Sequence, residues 1–261
     1  MRLVYSEWLK TKRTPIRWLT FVTPILFAGF VLVYFSIRGV RVENLFSVFT
    51  LFFEGWTVLV IPIGAGLLPG LMSQQEEIAG QFTGWLANQI PRHRLYLSKL
   101  AILMASASVS LMMATCILLA GLALLFQLPT VWPIFTAAVL LAIMGTFPLL
   151  ALHLWVSLAW GMGASIAIGG AGLLVAALMA TSLGDSIWPI VPWAWPVRMA
   201  IFPGFYLHDW PGLEQLPASI ASGIIMEQTM LGLFCAIVFF IVIVGLSLVW
   251  FNRWEGRKAV V

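Results

Sequence analysis

Glu76 and Glu77 stand side by side in the stretch SQQEEIAGQFTGWLANQIPRHRLYLSK, Ser73–Lys99, which closes on Pro91 and the cations Arg92, Arg94 and Lys99. Paired glutamates in a lipid-embedded chain could serve a membrane hydrolase. Such a site would carry an arginine four residues on and a histidine motif elsewhere. Here Gln81 holds that place, and the only histidines are His93, His153 and His208. Neither H-E-x-x-H nor G-x-S-x-G occurs. The phosphate-cradling G-x-x-x-x-G-K-[ST] is also missing, so energy for any work must come from a partner or a gradient. The carboxylates point away from catalysis and toward binding or mechanics.

The elements that position these residues follow from composition. Hydrophobic residues make up 61% of the chain, charged residues 9%, and the mean hydropathy is +1.01. Soluble domains carry about 25% charge, so lipid must cover this surface. Spanning a bilayer takes roughly 20 apolar residues whose backbone polar groups are satisfied within the segment. Six runs qualify: Trp18–Ser36, Phe46–Met72, Leu100–Phe126, Ile134–Trp160, Ala164–Leu183 and Thr229–Phe251. They lack the strand-and-turn rhythm of a barrel, so the expected fold is an all-α membrane protein, one domain over 1–261 with six transmembrane helices.

Charge sets the expected orientation. Of the 14 Lys and Arg, 11 fall before the first run, between the second and third, or after the sixth. Only Arg38, Arg41 and Arg198 fall on the other side. Both termini and the Ser73–Lys99 loop are therefore expected in the cytoplasm. Nothing resembles the clustered basic surface of a nucleic-acid binder.

Residues 1–17 read as an N-terminal interfacial helix. Ser6, Lys10, Arg13 and Arg17 share one face, and Val4, Tyr5, Trp8 and Leu9 another, suiting a helix on the inner leaflet. Thr14-Pro15 breaks it. The alternative is a simple topogenic charge cluster. In residues 73–99, Ser73 and Glu76 have capping-box spacing, and Ile78, Phe82, Trp85 and Leu86 form an apolar stripe. A helix of this kind can dock in a groove of another protein; packed on the chain's own helices, it would be an ordinary loop.

On the opposite side, residues 184–228 hold Trp188, Trp193, Trp195 and Trp210 among six prolines. Tryptophan favours the headgroup level, so this segment lies at the outer interface or dips in and returns. Asp185, Asp209 and Glu214 outnumber Arg198, and Glu43 and Glu227 lie nearby. An acidic mouth would attract a cationic amphipathic peptide; an ordinary interfacial belt is the plainer reading. Two ionisable residues fall inside spans. Glu54 is a candidate for the translocation path or a helix contact. His153 has no companion at ligand spacing and reads as structural. Cys116 and Cys235 read as small buried hydrophobes. Gly161, Gly163, Gly169, Gly170 and Gly172 suit close helix packing or a dimer seam. A gradient-driven carrier would show more midplane charge and internal repeats.

The order Glu76-Glu77, Gly80, Trp85, Pro91-Arg92, Arg94, Ser98-Lys99 resembles the loop after span two of ABC-2-type exporter permeases. The opening Ser6-Glu7-Trp8-Leu9-Lys10-Thr11-Lys12-Arg13-Thr14-Pro15 is similar to the start of that family. Together they look closest to permease subunits of lantibiotic-immunity and bacitracin-type transporters. The resemblance implies a non-catalytic permease in the bacterial cytoplasmic membrane. It implies a second permease, identical or different, and separate ATP-binding subunits that hold ATP and Mg, so this chain needs no cofactor. It implies that Glu76, Glu77, Ile78, Gly80, Phe82, Trp85 and Leu86 form a coupling helix. The expected cargo is a lantibiotic-type peptide, or else another amphipathic drug or lipid. Glu54, Trp188, Trp193, Trp195, Asp185 and Asp209 are the expected path or substrate residues.

Overall fold

The computed structural model describes residues 2–39, 44–80, 82, 90–128, 131–209 and 222–256. Among them, all regular structure is helical. A short helix, α1 (Arg2–Lys10), precedes the first span, α2 (Pro15–Arg38). The second span is one continuous rod of 34 residues. It comprises α3 (Leu45–Gly55), a π-helical stretch (Trp56–Val60) and α4 (Ile61–Ile78). Spans three to five are α5 (Arg92–Leu125), α6 (Trp132–Trp160) and α7 (Met162–Ala180). Two 3₁₀ turns, the helix α8 (Ala194–Ile201) and a 3₁₀ stretch (Phe202–Asp209) follow. The last span is α9 (Ile224–Arg253). Six rods are thus long and apolar enough to cross a membrane.

Local chemistry sets the boundaries. Pro15 opens α2, where its missing N–H is no loss. Gly161, at φ 94°, ends α6 and starts α7, a conformation that favours glycine. In the π stretch, the Trp56 N–H is shared between the Phe52 and Phe53 carbonyls, and the Thr57 hydroxyl donates to Phe53 O at 2.7 Å.

One expected boundary differs. Ser73 does not start a new helix. It is buried in α4, and its hydroxyl donates back to Gly70 O at 2.9 Å. Gln74, Gln75, Glu76 and Glu77 are good helix formers, so the rod runs on until Gly80 turns it at φ 144°.

α6 lies at the centre, touching α4, α5, α7, α8 and α9. α4 and α7 meet along glycines. A Cβ at Gly66 would fall 2.8 Å from Ser165 O, and one at Gly169 would fall 2.7 Å from Pro62 O. Ser165 Oγ–H donates to Gly66 O at 2.7 Å and so accepts from His153 Nδ1 at 3.2 Å. His153 therefore ties three spans together. Of the five glycines, Gly161, Gly169 and Gly172 are buried, whereas Gly163 and Gly170 are exposed on the outer face of α7. Cys116 is exposed rather than buried, and Cys235 is half-buried.

The segment after α7 packs against the middle of α6. A Cβ at Gly145, near the middle of α6, would meet Pro196 N at 2.6 Å. Trp188 and Trp195 are 3% and 2% exposed, so protein rather than headgroups surrounds them. The Trp195 indole N–H donates to Pro189 O at 2.9 Å.

Candidate functional site: an ion cluster joining the first three helical segments

Four charged side chains meet where α1, the end of α4 and the start of α5 converge. Lys99 Nζ lies 2.6 Å from Glu7 Oε2 and 2.7 Å from Glu76 Oε1. Lys10 Nζ lies 2.8 Å from Glu7 Oε1 and 3.0 Å from Glu76 Oε1. The charges alternate, so each is bracketed by two of opposite sign. Lys99 and Glu7 are 2% and 4% exposed, which makes this a desolvated network rather than a surface pair. Burial alone would lower the Lys10 pKa; hydrogen bonds and charge from Glu7 and Glu76 outweigh it and hold Lys10 above its ordinary value.

The local sequence explains the convergence. Glu7 and Lys10 are one helical turn apart and lie on one side of α1. Glu7 points inward while Tyr5 and Leu9 stay exposed. Trp8 departs from the expected lipid face. It lies under the Arg17 guanidinium at 4.5 Å, and its carbonyl accepts from Arg17 Nη2 at 3.3 Å. Lys99 sits about two turns inside α5, where a long stem can stay among apolar atoms while the head finds its carboxylates.

The residues that follow are anchored to the end of α9. Phe82, buried at φ 64°, packs edge-on against Trp254 at 4.9 Å. Arg92 Nη1 donates to Trp254 O at 2.5 Å and Asn252 O at 3.2 Å. The start of α2, both ends of the 73–99 stretch and the end of α9 therefore share one end of the bundle. Glu77 is half-buried, and Gly80 makes the turn. Ile78 is 79% exposed, an apolar side chain with nothing over it. Trp85 and Leu86 lie outside the described residues.

Glu54 belongs to a different place. It lines a pocket of about 660 Å³ near the far end, with Tyr34, Arg38, Ser47 and Thr50. Trp188, Trp193, Trp195 and Asp185 do not line it. Trp193 instead stands beside His153, with rings 6.4 Å apart. The side chains of Asp209 and Trp210, with Glu43 and Glu214, lie outside the described residues. Asp185 is not a free acid, since Arg198 Nη1 meets it at 2.7 Å. Arg198 also donates from Nε to Met179 O and from Nη2 to Thr181 O, each at 2.6 Å. It pins the segment after α7 to the end of that helix. Arg198→Ala should cost about 2 kcal/mol, the worth of charged hydrogen bonds to carbonyls. Chemical denaturation in detergent measures it; a cost near zero would show the staple to be idle.

The cluster as such is not visible to a charge count, which treats Lys10 and Lys99 as topology signals. The readable hint is Lys99 next to the apolar run from Leu100, a position where an unpaired cation is expensive.

No curated protein and no solved structure matches the chain. A family profile described as ABC-2 family transporter protein matches residues 3–175, from α1 through most of α7. That range contains all four members of the ion cluster and the turn at Gly80. The chain belongs to the ABC-2 family of membrane transport proteins, whose members work in general with a separate ATP-binding subunit.

Proposed function

We propose that the chain is the permease subunit of an ATP-driven exporter that expels a lantibiotic-type antimicrobial peptide from the bacterial membrane for self-immunity. In this reading the ion cluster and both termini face the cytoplasm, as the excess of Lys and Arg at that end supports. A second permease, identical or different, completes the pathway.

The observation that carries the reading is the cluster of Glu7, Lys10, Glu76 and Lys99, buried at Glu7 and Lys99 and open to solvent at Lys10. It locks the interfacial helix, span two and span three into one unit directly beside exposed Ile78. A push delivered at the turn after α4 is thereby shared by three segments instead of bending one. The chain has no phosphate loop of its own, so the push comes from a partner's ATP cycle. On the far side, Glu54 offers a half-buried carboxylate inside an open pocket, a suitable stop for a cationic group leaving the membrane.

Two assays test this. In the native host, deleting the gene should raise sensitivity to lantibiotic-type peptides. Unchanged sensitivity would remove the peptide assignment and leave the permease standing. In proteoliposomes, Glu76→Ala with Glu77→Ala should leave the complex assembled and hydrolysing ATP while export stops. Export at the original rate would remove the coupling role.

A further inference from the structure

A cavity of about 230 Å³ lies between α2, the π stretch with α4, α5 and α6. Its wall is aliphatic, with Leu19, Ile61, Leu68 and Leu111 among its side chains. Six side chains on that wall carry a hydroxyl: Thr20, Thr23, Ser106, Ser108, Ser110 and Thr146. That of Ser108 donates to Met104 O at 2.8 Å. Thr20 and Thr146 donate to Ile16 O at 2.9 Å and Ala142 O at 2.7 Å on their own helices. Ser106 is 1% exposed, lines the same space, and its hydroxyl meets no partner. A buried hydroxyl left unpaired is costly, so this one is poised for something that enters.

Size and access define the visitor. An apolar cavity of about 150 Å³ takes benzene, so this one takes about nine non-hydrogen atoms. A two-tailed lipid is far too large. Leu59 and Ile63, on the same wall, are 47% and 49% exposed to the surroundings of the span, so entry is from the bilayer. A charged group has no counter-charge anywhere on this wall. We propose that the cavity binds one membrane-dissolved, uncharged molecule of about nine non-hydrogen atoms whose single hydroxyl pairs with Ser106. A medium-chain aliphatic alcohol has this chemistry. The proposal does not rest on the export reading, because binding is measured without ATP or a partner.

The test uses purified full-length chain in lipid nanodiscs and a diazirine-bearing octanol, with adducts located by mass spectrometry. Gly64 lines the cavity, and a Cβ there would meet nothing within 4 Å, so Gly64→Leu fills the space without a clash. Gly245 also has open space but lies exposed on α9, so Gly245→Leu is the control. Labelling of the wall should saturate, yield to unlabelled octanol, survive Gly245→Leu and vanish in Gly64→Leu. Ser106→Ala should weaken binding about fivefold, the worth of one neutral hydrogen bond. Should Gly64→Leu fail to fold, Ser106→Ala decides. Unsaturable labelling, labelling that survives Gly64→Leu, or full-strength binding in Ser106→Ala would each overturn the proposal.

Discussion

Lys99→Met is expected to cost about 3–5 kcal/mol of unfolding free energy, because it leaves buried carboxylates without their inner cation. Glu7 Oε2 loses its 2.6 Å partner, and Lys10 alone must then serve Glu7 and Glu76. Lys10 is half in solvent and cannot move inward without losing its own hydration. The stem of Met fills the Lys99 channel, so the loss reads as charge rather than as a cavity. Adding Glu7→Gln should restore part of the stability, since the remaining pair is again neutral. A double-mutant cycle by chemical denaturation in detergent measures that coupling. Single-variant costs of about 0.5 kcal/mol, typical of an exposed pair, would show that the cluster is ornamental.

Gly169→Leu is the second large effect. The position faces the backbone of α4, with Pro62 O at 2.7 Å and Gly66 Cα at 3.0 Å from an added Cβ. Backbone cannot rotate aside as a flexible side chain can. Even Gly169→Ala should cost about 1–3 kcal/mol, the usual range for overpacking, and leucine should prevent α4 and α7 from docking. Their separation also breaks the Ser165 link to Gly66 and strands His153. The neighbouring Gly170→Ala provides the contrast. Its Cβ meets open space, so it should be neutral or gain up to about 1 kcal/mol from helix propensity. Thermal unfolding of both variants in one detergent separates the cases; equal stability would contradict the seam.

Much of this architecture is legible in the sequence, for a physical reason. Six spans must each satisfy their backbone within an apolar run, and such runs are visible locally. The Thr14-Pro15 break is equally local. What is not local is less legible. Ser73 and Glu76 have the spacing of a helix start, yet the same serine can bond backward to Gly70, and nothing in a short window says which. Lys99 finds its partners 23 and 92 residues away, a pairing that hydropathy cannot reveal. The tryptophans of the fifth loop have the composition of an interfacial belt. Trp188 and Trp195 are buried because Gly145 opens a slot in α6 for the Trp195–Pro196 backbone.

The cluster also organises the end of the bundle at which we propose that the ATP-binding partner docks. α1 is held by Glu7 and Lys10, the turn by Glu76, and the aromatic group around Trp254 by Arg92 and Phe82. Within that framework Ile78, 79% exposed, stands outward at the turn after α4. The most direct test places a photo-crosslinking amino acid at position 78 and irradiates living cells. One dominant adduct is expected, to a polypeptide carrying a G-x-x-x-x-G-K-[ST] phosphate loop. Adducts confined to lipid or to this chain itself would contradict the proposed docking.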